Sequence, residues 1–258
     1  MGAAPTRDSV GTALAEIVSE AAQLILPLWK SGLAVAAKAD KSPVTEADQR
    51  AEALIVERLA RCFEGLPVIS EEDASQFGVP DEIGERFLLV DPLDGTKAFV
   101  RGDPNFTVNV GLIERGVPVA GAVAAPASGE LWFADGCAFK RPLAGGEARP
   151  IRVRPWPGAG AVALISHTMK PDALAALKAD YGFAETRAMD SSVKLCRIAE
   201  GAADIYPRHG PTMEWDIAAG HAILTAAGGR LTTPQGEPFV YGKAQEGFRN
   251  GWFVARGG

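Results

Sequence analysis

Hydrophobic positions change their period along the chain, and the changes mark out elements. Val10, Leu14, Ile17, Val18, Ala21, Leu24, Ile25 and Leu28 recur every three to four residues, the spacing of one face of a helix. Asp8 or Ser9 stands where an N-cap belongs, and Ser31-Gly32 is the stop. The opposite face carries Glu16, Glu20 and Gln23 rather than lysines, so this stripe is read as facing a core rather than a membrane surface. After a polar loop at 38–43, a second helix is predicted from Thr45 through Leu54, Ile55 and Leu59, with Thr45 and Asp48 at capping-box spacing. Short apolar runs at 67–70 and 87–90 predict strands. From Phe106 the pattern becomes β, with runs at 106–113, 117–125 and 130–134 separated by Arg115-Gly116 and Ser128-Gly129, which predicts an antiparallel meander.

The stretch 141–160, rich in Pro, Gly and Arg, is the candidate boundary between two lobes, placing residues 1–155 in one and 156–258 in the other. Beyond it a strand (161–166), two helices (172–179, 191–200), a strand (203–206), a helix (213–227) closed by Gly228-Gly229, and strands at 230–232 and 251–255 are predicted. The reading is a layered α/β protein: an α+β lobe with an antiparallel sheet, a smaller α/β lobe, and a site in the cleft between them. There is no internal repeat and no low-complexity tract.

Composition narrows the class. The chain has 258 residues, 47% hydrophobic and 22% charged, enough for a sizeable core. Lys+Arg number 26 against 32 Asp+Glu, a net charge of -6 with no basic block, which disfavours duplex nucleic acid as a partner. Cys62, Cys137 and Cys196 are far apart and lack CxxC spacing, so neither a disulfide framework nor a zinc site is expected, and a reducing cytoplasm is the simplest home. No apolar run is read as long enough to span a bilayer, and the first eight residues lack a basic segment followed by an apolar core.

The chemistry concentrates in Asp91-Pro92-Leu93-Asp94-Gly95-Thr96. A strand ending at Asp91 would deliver its carboxylate to the carboxyl edge of a sheet, where α/β proteins hold ligands. Pro92 sets the turn and Gly95 allows close backbone approach. Asp91, Asp94 and the Leu93 carbonyl suit a hard divalent cation, and the Gly95 and Thr96 amides suit phosphate. Asp48, Glu71 and Asp216 also fall at strand ends or helix starts, and an oxygen donor set without a His or Cys cluster favours Mg²⁺ or Mn²⁺ over zinc. Each has a bland alternative. DPxDG makes good turns, Asp48 can serve only as part of a helix cap, Glu71 and Glu72 can be solvated loop acids, and Asp216 can complement a helix dipole. His167, His209 and His221 show no ligand spacing, Trp215 is read as packing a helix start, and the cysteines as structural or incidental.

Taken together, Ile69-Ser70-Glu71-Glu72, Asp91-Pro92-Leu93-Asp94-Gly95-Thr96 and Trp215-Asp216-Ile217-Ala218-Ala219-Gly220 resemble the three ordered motifs of the inositol monophosphatase superfamily of lithium-sensitive, Mg²⁺-dependent phosphatases. Pro43-Val44-Thr45-Glu46-Ala47-Asp48, Phe106-Thr107-Val108-Asn109, Ser191-Ser192-Val193-Lys194-Leu195-Cys196 and the segment from Tyr206 to Asp216 look most like its 3'(2'),5'-bisphosphate nucleotidase branch of the CysQ type. The resemblance implies an αβαβα sandwich. It also implies hydrolysis of 3'-phosphoadenosine 5'-phosphate to AMP and phosphate, in sulfur metabolism, with inositol monophosphate or histidinol phosphate as alternative substrates. A phospholigand sensor without turnover is the reading from another class.

By the same resemblance, Glu71, Asp91 and the Leu93 carbonyl hold one Mg²⁺, and Asp91, Asp94 and Asp216 a second. Two or three ions bind in all, and Mn²⁺ is a substitute. Asp48 and Thr96 orient the attacking water, with Asp48, Glu71 and Thr96 as the catalytic set. Gly95, Thr96 and Asp216 contact substrate, while Lys194 and Arg208 are surface cations or neutralise its other phosphate. A homodimer and loose attachment to the inner membrane are admitted. Two departures bear on substrate choice: Ala98 follows Lys97 where the branch has Glu, and His167-Thr168-Met169-Lys170 replaces an Arg-rich stretch.

Overall fold

A computed structural model describes residues 7–31, 35–37, 43–80 and 82–258, and the side chains of all of these but 7–9, 35–37, 43–45 and 135. In chain order the first elements are α1 (Arg7–Ser31), β1 (Val35–Ala37), β2 (Pro43–Thr45), α2 (Glu46–Cys62), β3 (Val68–Ser70), α3 (Glu71–Phe77), β4 (Arg86–Asp94), α4 (Thr96–Val100), β5 (Thr107–Glu114), β6 (Val117–Ala125), β7 (Glu130–Asp135), β8 (Cys137–Pro142) and β9 (Arg149–Pro150). After them come β10 (Val162–Ile165), α5 (Pro171–Tyr181), β11 (Glu185–Ala188), α6 (Val193–Ala199), β12 (Ile205–Arg208), β13 (Thr212–Met213), α7 (Glu214–Ala226), β14 (Arg230–Thr232), β15 (Arg249–Asn250) and β16 (Phe253–Arg256). The caps expected at Asp8 or Ser9 and at Thr45, the stop at Gly32, and residues 38–42 of the polar loop lie outside the described residues or side chains.

Strands β3 to β9 form one seven-stranded sheet in sequence order. The expected antiparallel meander holds for β5 to β7, antiparallel pairing also joins β4 to β5 and β7 to β9, and the edge strand β3 runs parallel to β4. Sheet pairing continues through β8 and β9, which the periodicity did not mark. Their sequences carry Lys140, Arg141 and Arg149 at half-exposed or exposed positions in place of a clean apolar alternation. The second sheet has five strands in the order β11-β10-β12-β16-β14, parallel among the first three and antiparallel beyond. Its edge strand β11, Glu185-Thr186-Arg187-Ala188, is exposed throughout and has no apolar signal to read.

Five layers result. Leu14, Ile17, Val18, Ile25, Ile55 and Leu59 of α1 and α2 share one core with Leu88, Val90, Val110 and Leu112 on one face of the seven-stranded sheet. The other face, through Leu89, Ile113, Val123 and Trp132, meets α6 and α7 in a second core. Val162, Leu164, Tyr206 and Phe253 of the second sheet close that core from the far side. Ala163, Ile205 and Val254, the alternate residues of those strands, pack with Leu177 of α5. Alternation in both sheets thus feeds two cores each, giving the order helices, sheet, helices, sheet, helix.

Among the described residues α1 does reach the length and hydropathy of a membrane span by composition, contrary to the sequence reading. Its apolar stripe is nevertheless spent inside the fold, with Leu14, Val18, Ala21 and Ile25 fully buried. Helix α7 sits against the sheet by a different device. A Cβ at Gly121 would lie 2.7 Å from the Ala219 backbone, and one at Gly111 2.9 Å from it. Only glycines at these strand positions let the helix backbone come so close.

Candidate active site

Parallel pairing of β3 with β4 aligns Ser70 with Val90, so Glu71, which opens α3, follows beside Asp91, which is still paired within β4. A regular strand would then throw Asp91 and Asp94 to opposite faces, because they are an odd number of residues apart. A bulge prevents this. Asp91 pairs with Asn109 and Asp94 with Thr107, three steps on β4 against two on β5. The extra residue returns both carboxylates to one face and accommodates Pro92. Gly95 follows with φ +95°, and a Cβ there would meet the Asn105 carbonyl at 2.8 Å; no other residue type fits. The chain then enters α4 at Thr96.

Glu71, Asp91, Leu93, Asp94, Gly95 and Thr96 line a cleft of about 690 Å³, and Lys194, Arg208 and Asp216 reach it from the second half of the chain. Three carboxylates there are held in the same way. Asp91 Oδ1 accepts from Leu93 N at 3.1 Å, Asp216 Oδ2 from Met213 N at 2.8 Å, and Asp94 Oδ2 from Ser192 N at 2.5 Å. A main-chain N–H fixes one oxygen of each acid and leaves the other for a ligand. Asp216 therefore is a helix-start acid, as its bland reading has it, and a cleft acid as well. Asp48, in the first turn of α2 and 1% exposed, takes the Thr96 hydroxyl at 3.2 Å, and the same hydroxyl lies 3.1 Å from the Leu93 carbonyl.

Burial and mutual repulsion act together on these groups. The Asp91 carboxyl is pushed well above the usual range by burial, then by the charges of Glu71, Asp94 and Asp216. Burial likewise raises Asp216, with Asp94 adding to it, and lifts Asp94 to about 6 against the opposing pull of Lys194 and the Ser192 N–H. Lys194 is 4% exposed and lowered by burial to about 8. Its Nζ donates to Ser191 O at 2.7 Å and Met189 O at 3.2 Å and stands 5.0 Å from the centre of the Tyr206 ring. Arg208 donates from Nη2 to Pro211 O at 3.0 Å, while its buried Nε has no partner among the described residues. An all-oxygen set of crowded acids is the donor chemistry of a hard divalent cation, whose charge would offset the repulsion that raises their pKa values.

The structure adds residues that spacing did not single out. Thr107, Asn109 and Ser192 are buried beside Asp94; polar residues inside the otherwise apolar run of β5 were the available signal. Ser191 sits at φ +59°, a left-handed conformation that starts α6 two residues later than expected. His167 has potential ligand atoms within 4.8 Å of those of Asp103 and Asp190, and Arg101 reaches Asp190 at 3.5 Å. Trp215 packs beside Phe248 as expected, with ring centres 6.1 Å apart. Cys196 is buried, and Cys62 and Cys137 are exposed free thiols.

Known proteins are similar to this chain in sequence and fold. A profile of the inositol monophosphatase family matches residues 6–253. This chain belongs to the inositol monophosphatase family. The 3'(2'),5'-bisphosphate nucleotidase CysQ of Salmonella typhimurium is 40% identical over 226 residues, covering 84% of this chain and 87% of that protein. CysQ of Buchnera aphidicola is 36% identical over 247 residues, covering 94% and 91%. The crystal structure of CysQ from Bacteroides thetaiotaomicron superposes with a TM-score of 0.79 at 33% identity, covering 97% of each chain. The layered α/β fold is that of the inositol monophosphatase family. Ala98 lines the cleft and is 1% exposed.

Proposed function

We infer that this chain is a metal-dependent 3'(2'),5'-bisphosphate nucleotidase, removing the 3'-phosphate of 3'-phosphoadenosine 5'-phosphate to leave AMP. The observation that carries the reading is the trio Asp91, Asp94 and Asp216, brought from two parts of the chain into one cleft, each with one oxygen tied to a main-chain N–H. In this reading Glu71, Asp91, the Leu93 carbonyl, Asp94 and Asp216 hold two or three Mg²⁺, with Mn²⁺ as a substitute. Bound there, the ions supply activation of water and neutralisation of charge on the phosphoryl and leaving oxygens.

The chain's own groups do the positioning. Thr96 donates its hydroxyl proton to Asp48 and so turns a lone pair toward the attacking water, which gives up its proton in that direction. Gly95 and Thr96 offer main-chain N–H groups to the phosphoryl oxygens. Lys194, still protonated at neutral pH with a pKa of about 8, and Arg208, with a buried Nε free to donate, take the nucleotide's other phosphate. The family reading carries a homodimer and loose association with the inner membrane as further proposals, tested by sedimentation and by vesicle co-sedimentation.

The experiment is phosphate release by the purified protein with Mg²⁺ from 3'-phosphoadenosine 5'-phosphate, inositol 1-phosphate, histidinol phosphate and fructose 1,6-bisphosphate. A clear preference for the nucleotide is expected. Preference for inositol or histidinol phosphate keeps the chemistry and overturns the substrate; silence on all four overturns the enzyme in favour of a phospholigand sensor.

A further inference from the structure

Behind Asp94 lies a chain of buried hydroxyls that ends in an amide. Thr107 Oγ1 is 3.4 Å from Asp94 Oδ2 and 2.9 Å from Ser192 Oγ, and Ser192 Oγ is 2.6 Å from Asn109 Oδ1. Thr107 and Asn109 are 0% exposed and Ser192 5%, so no bulk water competes for these contacts. Counting protons decides the direction. If Ser192 gives its proton to Asn109 Oδ1, Thr107 has one proton for two acceptors, Asp94 and Ser192. A bond to Asp94 then leaves two oxygens 2.9 Å apart with no proton between them, and a bond to Ser192 leaves the Asp94 contact without one. The same arrangement strands Asn109 Nδ2, which is buried without a partner among the described residues. Turning the amide over settles both defects: Nδ2 donates to Ser192, Ser192 to Thr107, and Thr107 to Asp94. A buried carbonyl left short of a donor costs less than a buried N–H left without an acceptor.

We propose that Asn109, Ser192 and Thr107 form a one-way donor chain that positions Asp94 for metal binding. The chain saturates Oδ2 together with the Ser192 main-chain N–H and so presents Oδ1. It also ties β5 of the first sheet to the start of α6, the helix that carries Lys194. The proposal rests on the reading of Asp94 as a metal ligand. Thr107, Ser192 and Asn109 act through Asp94 and are positioning residues, although Ser192 also lines the cleft.

The test is Mg²⁺ binding measured calorimetrically on the full chain without substrate, with thermal melting alongside. Thr107→Val is expected to weaken Mg²⁺ binding about 10–100-fold, the range for outer partners of metal ligands, while the protein still melts cooperatively; Thr107→Ser, which keeps the hydroxyl, restores binding. Ser192→Ala removes the middle link and keeps the main-chain N–H, so it reads the same chain should Thr107→Val not fold. The double variant should bind no more weakly than Thr107→Val alone, because one broken chain cannot be broken twice. In a ¹H–¹⁵N spectrum one Asn109 side-chain proton should stand downfield and lose that shift in Ser192→Ala.

Asp94→Asn separates the two levels. Loss of Mg²⁺ binding in Asp94→Asn with wild-type binding in Thr107→Val and Ser192→Ala overturns the donor chain alone. Effects of those two that multiply, or an Asn109 amide indifferent to Ser192→Ala, overturn it too. Unchanged Mg²⁺ binding in Asp94→Asn overturns the ligand reading, and the donor chain with it.

Discussion

The two helical layers that cover the seven-stranded sheet are built on different rules. On one face α1 and α2 lay Leu14, Val18, Ile25, Ile55 and Leu59 onto Leu88, Val90 and Val110, a contact between bulky side chains that tolerates small shifts. On the other face α7 rides on Gly111 and Gly121 at distances set by its own backbone at Ala219, while its Gly220 makes room for the Leu195 side chain of α6. The first layer needs only to be apolar with the right period. The second carries Asp216 into the cleft that Asp91 and Asp94 line from another element, where placement matters as well as apolarity. Close backbone contact is how this fold converts packing into position.

The variants that probe this contrast run from abolished chemistry to modest shifts in stability. Asp91→Asn should reduce phosphate release to background while the metal-free protein melts no lower than wild type, since burial, and then Glu71, Asp94 and Asp216, already disfavour an ionised carboxyl there. Retained turnover would sink the metal assignment. Thr96→Ala should keep Mg²⁺ binding and lose about 10²–10⁴ in kcat; an unchanged rate returns Thr96 to a turn role. Leu14→Ala, in the tolerant layer, should cost about 2–5 kcal/mol of unfolding free energy with KM and Mg²⁺ dependence unmoved, read by urea denaturation and steady-state kinetics.

A pH series probes the second layer. His221 of α7 is buried, with Nδ1 3.0 Å from the Tyr241 hydroxyl, and burial lowers its pKa from 6.5 to about 4. The unfolded chain takes up this proton near 6.5, whereas the folded chain refuses it until about 4. Stability is therefore intact above pH 6.5 and falls as pH drops toward 4, by at most about 3 kcal/mol. His221→Gln should flatten that fall, and equal slopes in the two proteins would count against a buried neutral imidazole. Gly121→Ala should cost about 1–3 kcal/mol by overpacking yet weaken Mg²⁺ binding, in contrast to Leu14→Ala. If the two variants behave alike, the distinction between the layers fails.

Periodicity made α1, α2, α7 and the strands from β4 to β7 legible, because one face of each is continuously apolar. It missed β8, β9 and β11, whose pairing is imposed by a neighbouring strand rather than by their own side chains. Asp91, Asp94 and Thr96 stood out because a Pro, a Gly and two acids crowd one turn. Thr107, Asn109 and Ser192 fell inside segments that resemble the family but were given no role, since a buried polar residue acquires its meaning only from its partner in space.

By itself, then, the amino-acid order determined the helices and strands that carry a continuous apolar face, and which oxygen donors stand at their ends. Those are local matters of period, turn chemistry and side-chain type. Only the tertiary structure decided that Glu71 emerges beside Asp91, that a bulge brings Asp94 to the same face, and that Asp48 and Asp216 join them from α2 and α7. Ladder register and backbone-close helix contacts act between segments distant along the chain, so the site exists as chemistry only after those segments have packed.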